Sequence, residues 1–216
     1  MKSMAAREQS EGRSSSVGLK ELFVYFAFFG IFCLMLFAVG TYWEGTYHWT
    51  GLFLLYMSFP NTFIPLPTNP VIIGLGRMYE PVLVGILGAA GTSIANVNEY
   101  QIVSYLSERK FADRIKKRRL YLKFREWYWQ FPFAILTLTN FLPIPVDPVR
   151  WLSISSGYGR SPYAVATFVG RAPRYYLLAL IGEKYQVSNT ILILLVAIPA
   201  VYSAVRFLVR KLGSHG

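Results

Sequence analysis

The sequence predicts an all-α polytopic membrane protein: four transmembrane helices plus two oppositely oriented re-entrant helical hairpins, related as an inverted repeat. Three observations predict it. First, 54% of the 216 residues are hydrophobic and only 15% are charged. That balance suits a chain dissolved in lipid and not a soluble domain. Second, Phe63-Ile-Pro-Leu-Pro-Thr-Asn-Pro-Val71 returns as Phe141-Leu-Pro-Ile-Pro-Val-Asp-Pro-Val149, and each copy then runs to a Gly-x-Gly-Arg end, at Gly74 to Arg77 and Gly157 to Arg160. Prolines at this density forbid a continuous helix, yet both copies lie in apolar stretches. Broken backbone at membrane depth is tolerated where protein buries it or water reaches it. Two such breaks in corresponding positions point to a transporter-like site between internal repeats. Third, the basic residues concentrate in one loop and at the C-terminal end, which sets an orientation.

The elements follow in order. Residues 1–21 are polar and mixed in charge, and read as a disordered cytoplasmic tail. Residues 22–212 form a single membrane domain. Leu22 to Trp43 carries no charge over 22 residues, enough to cross a bilayer. No small-residue cleavage site clearly ends it, so it reads as a retained helix and not a signal peptide. Tyr42, Trp43, Tyr47 and Trp49 then form an interfacial aromatic belt. Gly51 to Gly76 is uncharged but interrupted by Pro60, Pro65, Pro67 and Pro70, and reads as the first re-entrant hairpin, 51–76. Pro81 to about Leu106 is the next span. Gly85, Gly88, Ala89, Ala90 and Gly91 near its start allow close helix approach.

Segment 108–126 holds nine Lys/Arg against three acidic residues. Ile115, Leu120, Leu122 and Phe124 interleave with these charges, as in an interfacial helix resting on anionic headgroups. An ordinary cytoplasmic loop obeying the positive-inside rule is the plainer reading, and the first includes it. The flanking membrane segments argue against nucleic acid as a partner. Residues 127–156 hold the second proline break and form the second hairpin. Ser161 to Gly182 is apolar apart from Arg171 and Arg174, and Tyr185 to Val205 is uncharged before Arg206, Arg210 and Lys211. Placing the basic segments in the cytoplasm puts both termini there. The first hairpin then dips from the outer face and the second from the inner face, as an inverted repeat requires.

Candidate chemistry centres on the second break. Asp147 and Arg150 lie three apart beside Pro145 and Pro148. Ionisable groups at such depth face a wet cavity or each other. Arg150 suits a phosphate, because a guanidinium fork matches phosphate oxygens. A simple Asp147–Arg150 salt bridge across the bend is the competing reading. Arg171 and Arg174 are three apart on the following span and need anionic partners. Asp147, Glu99, Glu183 and a lipid phosphate are the candidates. Glu99 sits about seven residues before the basic end of its span. That is roughly 10 Å inside it. Burial disfavours the charged form of any carboxyl group, which gives Glu99 a proton-relay reading. A counter-ion for Arg171 or Arg174 is its plainer role. Asn96 and Asn98 read as packing glue between helices. In the first break, Thr68 and Asn69 replace Val146 and Asp147, and Ile72 or Ile73 stands where an arginine could. Pro65, Pro67 and Thr68 there, with Pro143 and Pro145 in the second copy, mark the re-entrant breaks. Arg77 and Glu80 read as a surface pair.

No metal or cofactor is expected. Cys33 is the single cysteine, and His48 and His215 are the two histidines, far apart. No nucleophile–base pair emerges, so the chain does not read as an enzyme.

The stretch Phe141 to Gly182 resembles the core of the DedA family, also called the VTT or SNARE-associated membrane proteins. The likeness rests on the Phe-x-Pro-x-Pro break, Arg150 shortly after it, the Gly157-Tyr-Gly159 exit, and a following helix with Gly170-Arg171 and Gly182. Phe63-x-Pro-x-Pro and the Gly85 to Gly91 helix extend it to roughly residues 50 to 185. The resemblance implies two opposed re-entrant hairpins and translocation of lipids between leaflets. Bacterial relatives move polyprenyl phosphates or phospholipids, in some cases coupled to protons or ions, and eukaryotic relatives scramble phospholipids. By position, Asp147 and Arg150 match the functional second hairpin. Two departures stand out. An acidic residue often found after the first Pro-x-Pro is Thr68-Asn69 here, and a usual Gly-Asp reads Gly91-Thr92. Glu99 is the candidate substitute for a lost carboxylate. These losses weigh against proton coupling more than against lipid movement.

The sequence reading is therefore a flippase or scramblase for a phosphate-bearing lipid, in a bacterial inner membrane with both termini cytoplasmic. Membrane lipids are its partners, and a homo-oligomer is compatible with it. Two rivals remain: a scaffold that recruits anionic lipid or a partner through its basic loop, and a small-anion transporter.

Overall fold

The computed structural model describes residues 19–42, 46–63, 67–107, 128–142, 147–195 and 197–198. The disordered-tail expectation, the basic segment 108–126, and Pro65, Pro143 and Pro145 lie largely or wholly outside the described residues. Among those described, regular structure is entirely helical: α1 Leu19–Tyr42, α2 Thr46–Phe63, α3 Thr68–Gly76, α4 Pro81–Ser107, α5 Pro132–Phe141, α6 Asp147–Ser155 and α7 Arg160–Tyr185, with a further helical stretch over 189–195.

Two of these are long and apolar enough to cross a membrane: Leu19–Tyr42 and Pro81–Tyr105. They bury themselves differently. α1 exposes Phe23, Phe28, Ile31 and Leu34, while most of α4 is enclosed by protein. An apolar helix that is exposed is one that meets lipid, and an enclosed one is a bundle core. α7 has 26 residues, sufficient length for a span, but it carries Arg171, Arg174, Glu183 and Lys184. The expected last span starts later than the sequence implied. Residues 186–188 are not helical, Gln186 takes φ 45°, and the helix resumes at 189.

The chain divides into two compact units, Met1–Pro65 with Leu87–Arg174, and Leu66–Ile86 with Tyr175–Gly216. In the first, α1 packs on α2 through glycine. A Cβ on Gly51 would stand 2.8 Å from the Leu36 carbonyl oxygen and 3.0 Å from the Gly40 nitrogen, so the backbones nearly touch. Gly91 of α4 meets the Met57 Cβ of α2 in the same way, at 2.6 Å. Polar cross-links then fix register. The Tyr25 hydroxyl donates to Asn98 Oδ1 over 2.7 Å, and Asn98 Nδ2 donates to Thr62 Oγ1 over 2.9 Å. Asn98 thus ties α1, α2 and α4 together, the packing role its sequence position indicated. Tyr100, Tyr128, Leu136, Ile154, Tyr158 and Tyr163 form the core beneath α5 and α6.

In the second unit, α3, the start of α4, the end of α7 and the stretch after 189 come together. Gly76 abuts the Ala179 backbone, and Gly182 abuts the Ile73 carbonyl. A Cβ on Gly85 would stand 2.9 Å from the Tyr176 nitrogen. Small residues again permit backbone contact where larger ones would hold helices apart.

Two prolines expected to break the first hairpin do not. Pro70 lies in the first turn of α3, where its missing N–H would have had no intrahelical partner. Pro60 lies inside α2. It leaves the Tyr56 carbonyl without its usual donor, and Asn61 Nδ2 donates to that oxygen at 3.3 Å and to the Met57 oxygen at 3.1 Å. The asparagine side chain replaces the bond the proline removes. The actual interruptions are at Pro67, which is non-helical with ψ 89°, and between α5 and α6, where Leu142 turns extended with ψ 149°.

Candidate functional site

Arg150 is the centre of the site. α6 begins at Asp147, with Pro148 in its first turn, where a fixed φ favours the helix start and a carboxylate suits the positive end of the helix dipole. Three residues on, Arg150 falls on the same side as Asp147. Arg150 is 8% exposed. Its partners come from three helices. Nε donates to the Tyr163 hydroxyl of α7 over 3.2 Å. Nη2 engages Asn96 Oδ1 and the Glu99 carboxylate of α4. Nη1 reaches Asp147 Oδ1 at 3.3 Å.

These contacts are unequal. The Glu99 side chain is 22% exposed and that of Asp147 is 76% exposed. An exposed pair at long distance contributes about 0–1 kcal/mol. A pair withdrawn from water interacts strongly, and loss of either member leaves a charge that burial penalises by about 3–5 kcal/mol. Glu99 is therefore the counter-ion of Arg150, and Asp147 is an accessory group at its outer edge. Asn96 and Glu99 are three residues apart on α4, so one helix face presents both acceptors. Tyr163 is fully buried, and its ring lies 5.3 Å from that of Tyr100. Tyr100 in turn donates to the Tyr158 carbonyl over 2.7 Å. The Tyr163 acceptor is thus held by packed aromatics.

Arg171 and Arg174 sit elsewhere in this unit. Arg171 Nε donates to Asn140 Oδ1 over 3.1 Å, and Arg174 Nη1 donates to the Leu142 carbonyl over 3.2 Å. Asn140 is fully buried and also donates to the Leu136 carbonyl. Both arginines thus grip the C-terminal end of α5, where cations complement unsatisfied carbonyls. Gly170 makes the grip possible, because a Cβ there would fall on the Thr137 carbonyl. Glu99, considered as their counter-ion from sequence, pairs with Arg150 instead, as does Asp147. In the first break, Thr68 Oγ1 lies 3.5 Å from the Tyr175 hydroxyl and Pro67 is exposed. Arg77 bonds to Asn189, not to Glu80. Among the described residues, no group of three His, Cys, Asp or Glu side chains could hold a metal ion.

Sequence reasoning missed Asn96 and Tyr163 as members of the site. Asn96 carried a signal: it stands one helical turn before Glu99 on an apolar helix, where unpaired amides are costly. Tyr163 carried none. Its place beside Arg150 depends on how α7 crosses α6.

Arranged this way, the described residues offer a buried guanidinium held by the Glu99 carboxylate and by two neutral groups, Asn96 and Tyr163. A phosphate can take the place of that carboxylate on the same fork. The model of the VTT domain family matches residues 66–184, more than half of the chain and a range that includes Arg150 and every partner named for it. No curated protein and no solved structure matches the chain.

Proposed function

Because the chain belongs to the VTT domain family, the domain that defines the DedA membrane proteins, we propose that it is a lipid translocase. It moves a phosphate-bearing lipid, a polyprenyl phosphate or a phospholipid, between leaflets. The observation that carries this reading is the buried Arg150, paired with Glu99 beside a break between two short helices. Intramembrane arginines are costly and mark the paths of charged substrates.

In this reading the headgroup phosphate displaces Glu99 from Arg150, and Asp147 marks the wet side of the pocket. The lipid tails stay in the bilayer throughout. The broken helices supply backbone polarity along the headgroup path, which lowers the cost of moving charge through hydrocarbon. Arg171 and Arg174 hold the end of α5 and contribute secondary positive potential. Glu99 accepts a proton when it leaves Arg150, which gives a route to proton coupling. The topology that goes with this function has four transmembrane helices and two re-entrant hairpins, 51–76 and 127–156, within the 22–212 membrane domain. Both termini are cytoplasmic, and a bacterial inner membrane is the setting.

The test is transbilayer movement of a labelled phospholipid and a labelled polyprenyl phosphate in liposomes. Arg150→Ala abolishes movement in protein that remains folded, and Arg150→Lys restores charge but not the planar fork, giving partial activity. Full movement by folded Arg150→Ala would sink the reading. The nine Lys/Arg of segment 108–126 favour a second, scaffold reading. There, reversing the loop charge removes lipid or partner recruitment while Arg150→Ala changes nothing.

A further inference from the structure

The second unit contains a groove that the Arg150 site does not use. It has a volume of about 660 Å³, within the range of small-ligand sites, and lies between the outer side of α3 and the helical stretch after 189. Val71, Leu75 and Met78 form one wall, and Leu192, Ile193 and Ala197 form the other. Two polar side chains line it, Arg77 and Asn189. Arg77 caps the C-terminal end of α3. Its Nη1 donates to Asn189 Oδ1 over 2.6 Å, while its Nε is buried and has no hydrogen-bond partner among the described residues. Asn189 is a neutral amide, so it orients the guanidinium without neutralising it. Among the described residues, no acidic side chain lines the groove.

An apolar channel with one uncompensated cation at its edge, in a membrane protein, matches one kind of occupant. The ligand must carry an anionic head and a hydrocarbon tail joined to it. We propose that this groove seats one anionic glycerophospholipid, with its phosphate on Arg77 and an acyl chain between α3 and the stretch after 189. The tail covers apolar side chains, and the phosphate accepts from the guanidinium in a charge-assisted bond. The wall after 189 lies beyond the residues that the VTT domain matches. The site depends on the membrane setting, not on translocation.

The test uses the full chain purified in mild detergent, mixed with equal amounts of phosphatidylglycerol and phosphatidylcholine, and weighed intact by native mass spectrometry. Wild type retains one phosphatidylglycerol in preference to phosphatidylcholine. Arg77→Gln lowers that preference by about tenfold, the value of one hydrogen bond to a charged group. Gly74→Phe keeps the cation and fills the groove. A Cβ at this position would stand 3.4 Å from the Leu192 side chain, so the ring beyond it occupies the space between the two walls, and a melting temperature near wild type shows that the variant is folded. It lowers retention of both lipids. Equal retention of the two lipids by wild type, or an unchanged preference in folded Arg77→Gln, would overturn the proposal.

Discussion

The two proline phrases share a backbone script and differ in chemistry. Both interrupt helices, at Pro67 and after Leu142, and both lead into short nine-residue helices, α3 and α6. α6 opens with Asp147 and carries Arg150, which gathers Glu99, Asn96 and Tyr163 around it. α3 holds Asn69 and Ile72 at the matching positions, and Ile72 is fully buried among apolar groups. At that break, Thr68 Oγ1 makes a long approach of 3.5 Å to the Tyr175 hydroxyl. The Gly-x-Gly-Arg ends diverge too. Gly157 takes φ 84°, and Arg160 lies 6.0 Å over the Tyr100 ring, whereas Arg77 turns to Asn189 and an open groove. Each Pro-x-Pro phrase coincides with an interruption while Pro60 and Pro70 do not, and a few substitutions decide which interruption carries charge.

The strongest way to break this comparison is to give the first copy the arginine of the second. Ile72→Arg places a guanidinium in a fully buried position with no carboxylate facing it on α3. It should destabilise the protein by about 3 kcal/mol, the cost of an unpaired arginine at membrane depth. Thermal unfolding in detergent measures it, and an unchanged melting temperature would mean that the surroundings of α3 supply an anionic partner after all. Next in size is Gly182→Val. The added side chain meets the Ile73 carbonyl, and the forced shift of α3 should cost about 2 kcal/mol by the same measurement.

Tyr163→Phe sharpens the comparison from the other side. It removes one hydrogen bond to Arg150 and keeps the buried ring. A loss of about 1.5 kcal/mol in the hold on the guanidinium corresponds to roughly tenfold slower lipid movement. A merely structural role would lower the melting temperature and leave the rate per folded molecule unchanged. The smallest effect expected is that of Asn61→Leu. It leaves the Tyr56 carbonyl without the donor that offsets Pro60 and should cost about 1 kcal/mol. Stability equal to wild type would show that α2 tolerates the proline without help.

Much of the fold was legible in the sequence. An uncharged run at Leu22 to Trp43 became α1, and the small-residue span and the Arg171 helix became α4 and α7. These readings rest on local composition, which lipid solvation turns directly into helix. Legibility failed where a neighbour decides the outcome. Pro60 reads as a breaker until Asn61 supplies the missing donor. Glu99 lies 51 residues before Arg150, so helix spacing pairs Arg150 with Asp147 and hides the stronger partner. Asn96 read as packing glue because nothing local shows which helix its amide faces. Arg171 and Arg174 read as ligands because mid-helix cations demand partners. Among the described residues, Arg171 donates to the Asn140 amide and Arg174 to the Leu142 carbonyl, both at the C-terminal end of α5.

In the proposed function Arg150, released from Glu99, holds the lipid phosphate on its way between leaflets. The most direct test is liposome translocation of labelled phospholipid and polyprenyl phosphate by wild type and Arg150→Ala, with and without a pH gradient. Wild type should move both lipids, and the folded variant neither. Dependence on the gradient, lost in Glu99→Gln, would assign the proton to that carboxylate. Movement by Arg150→Ala at the wild-type rate would contradict the account.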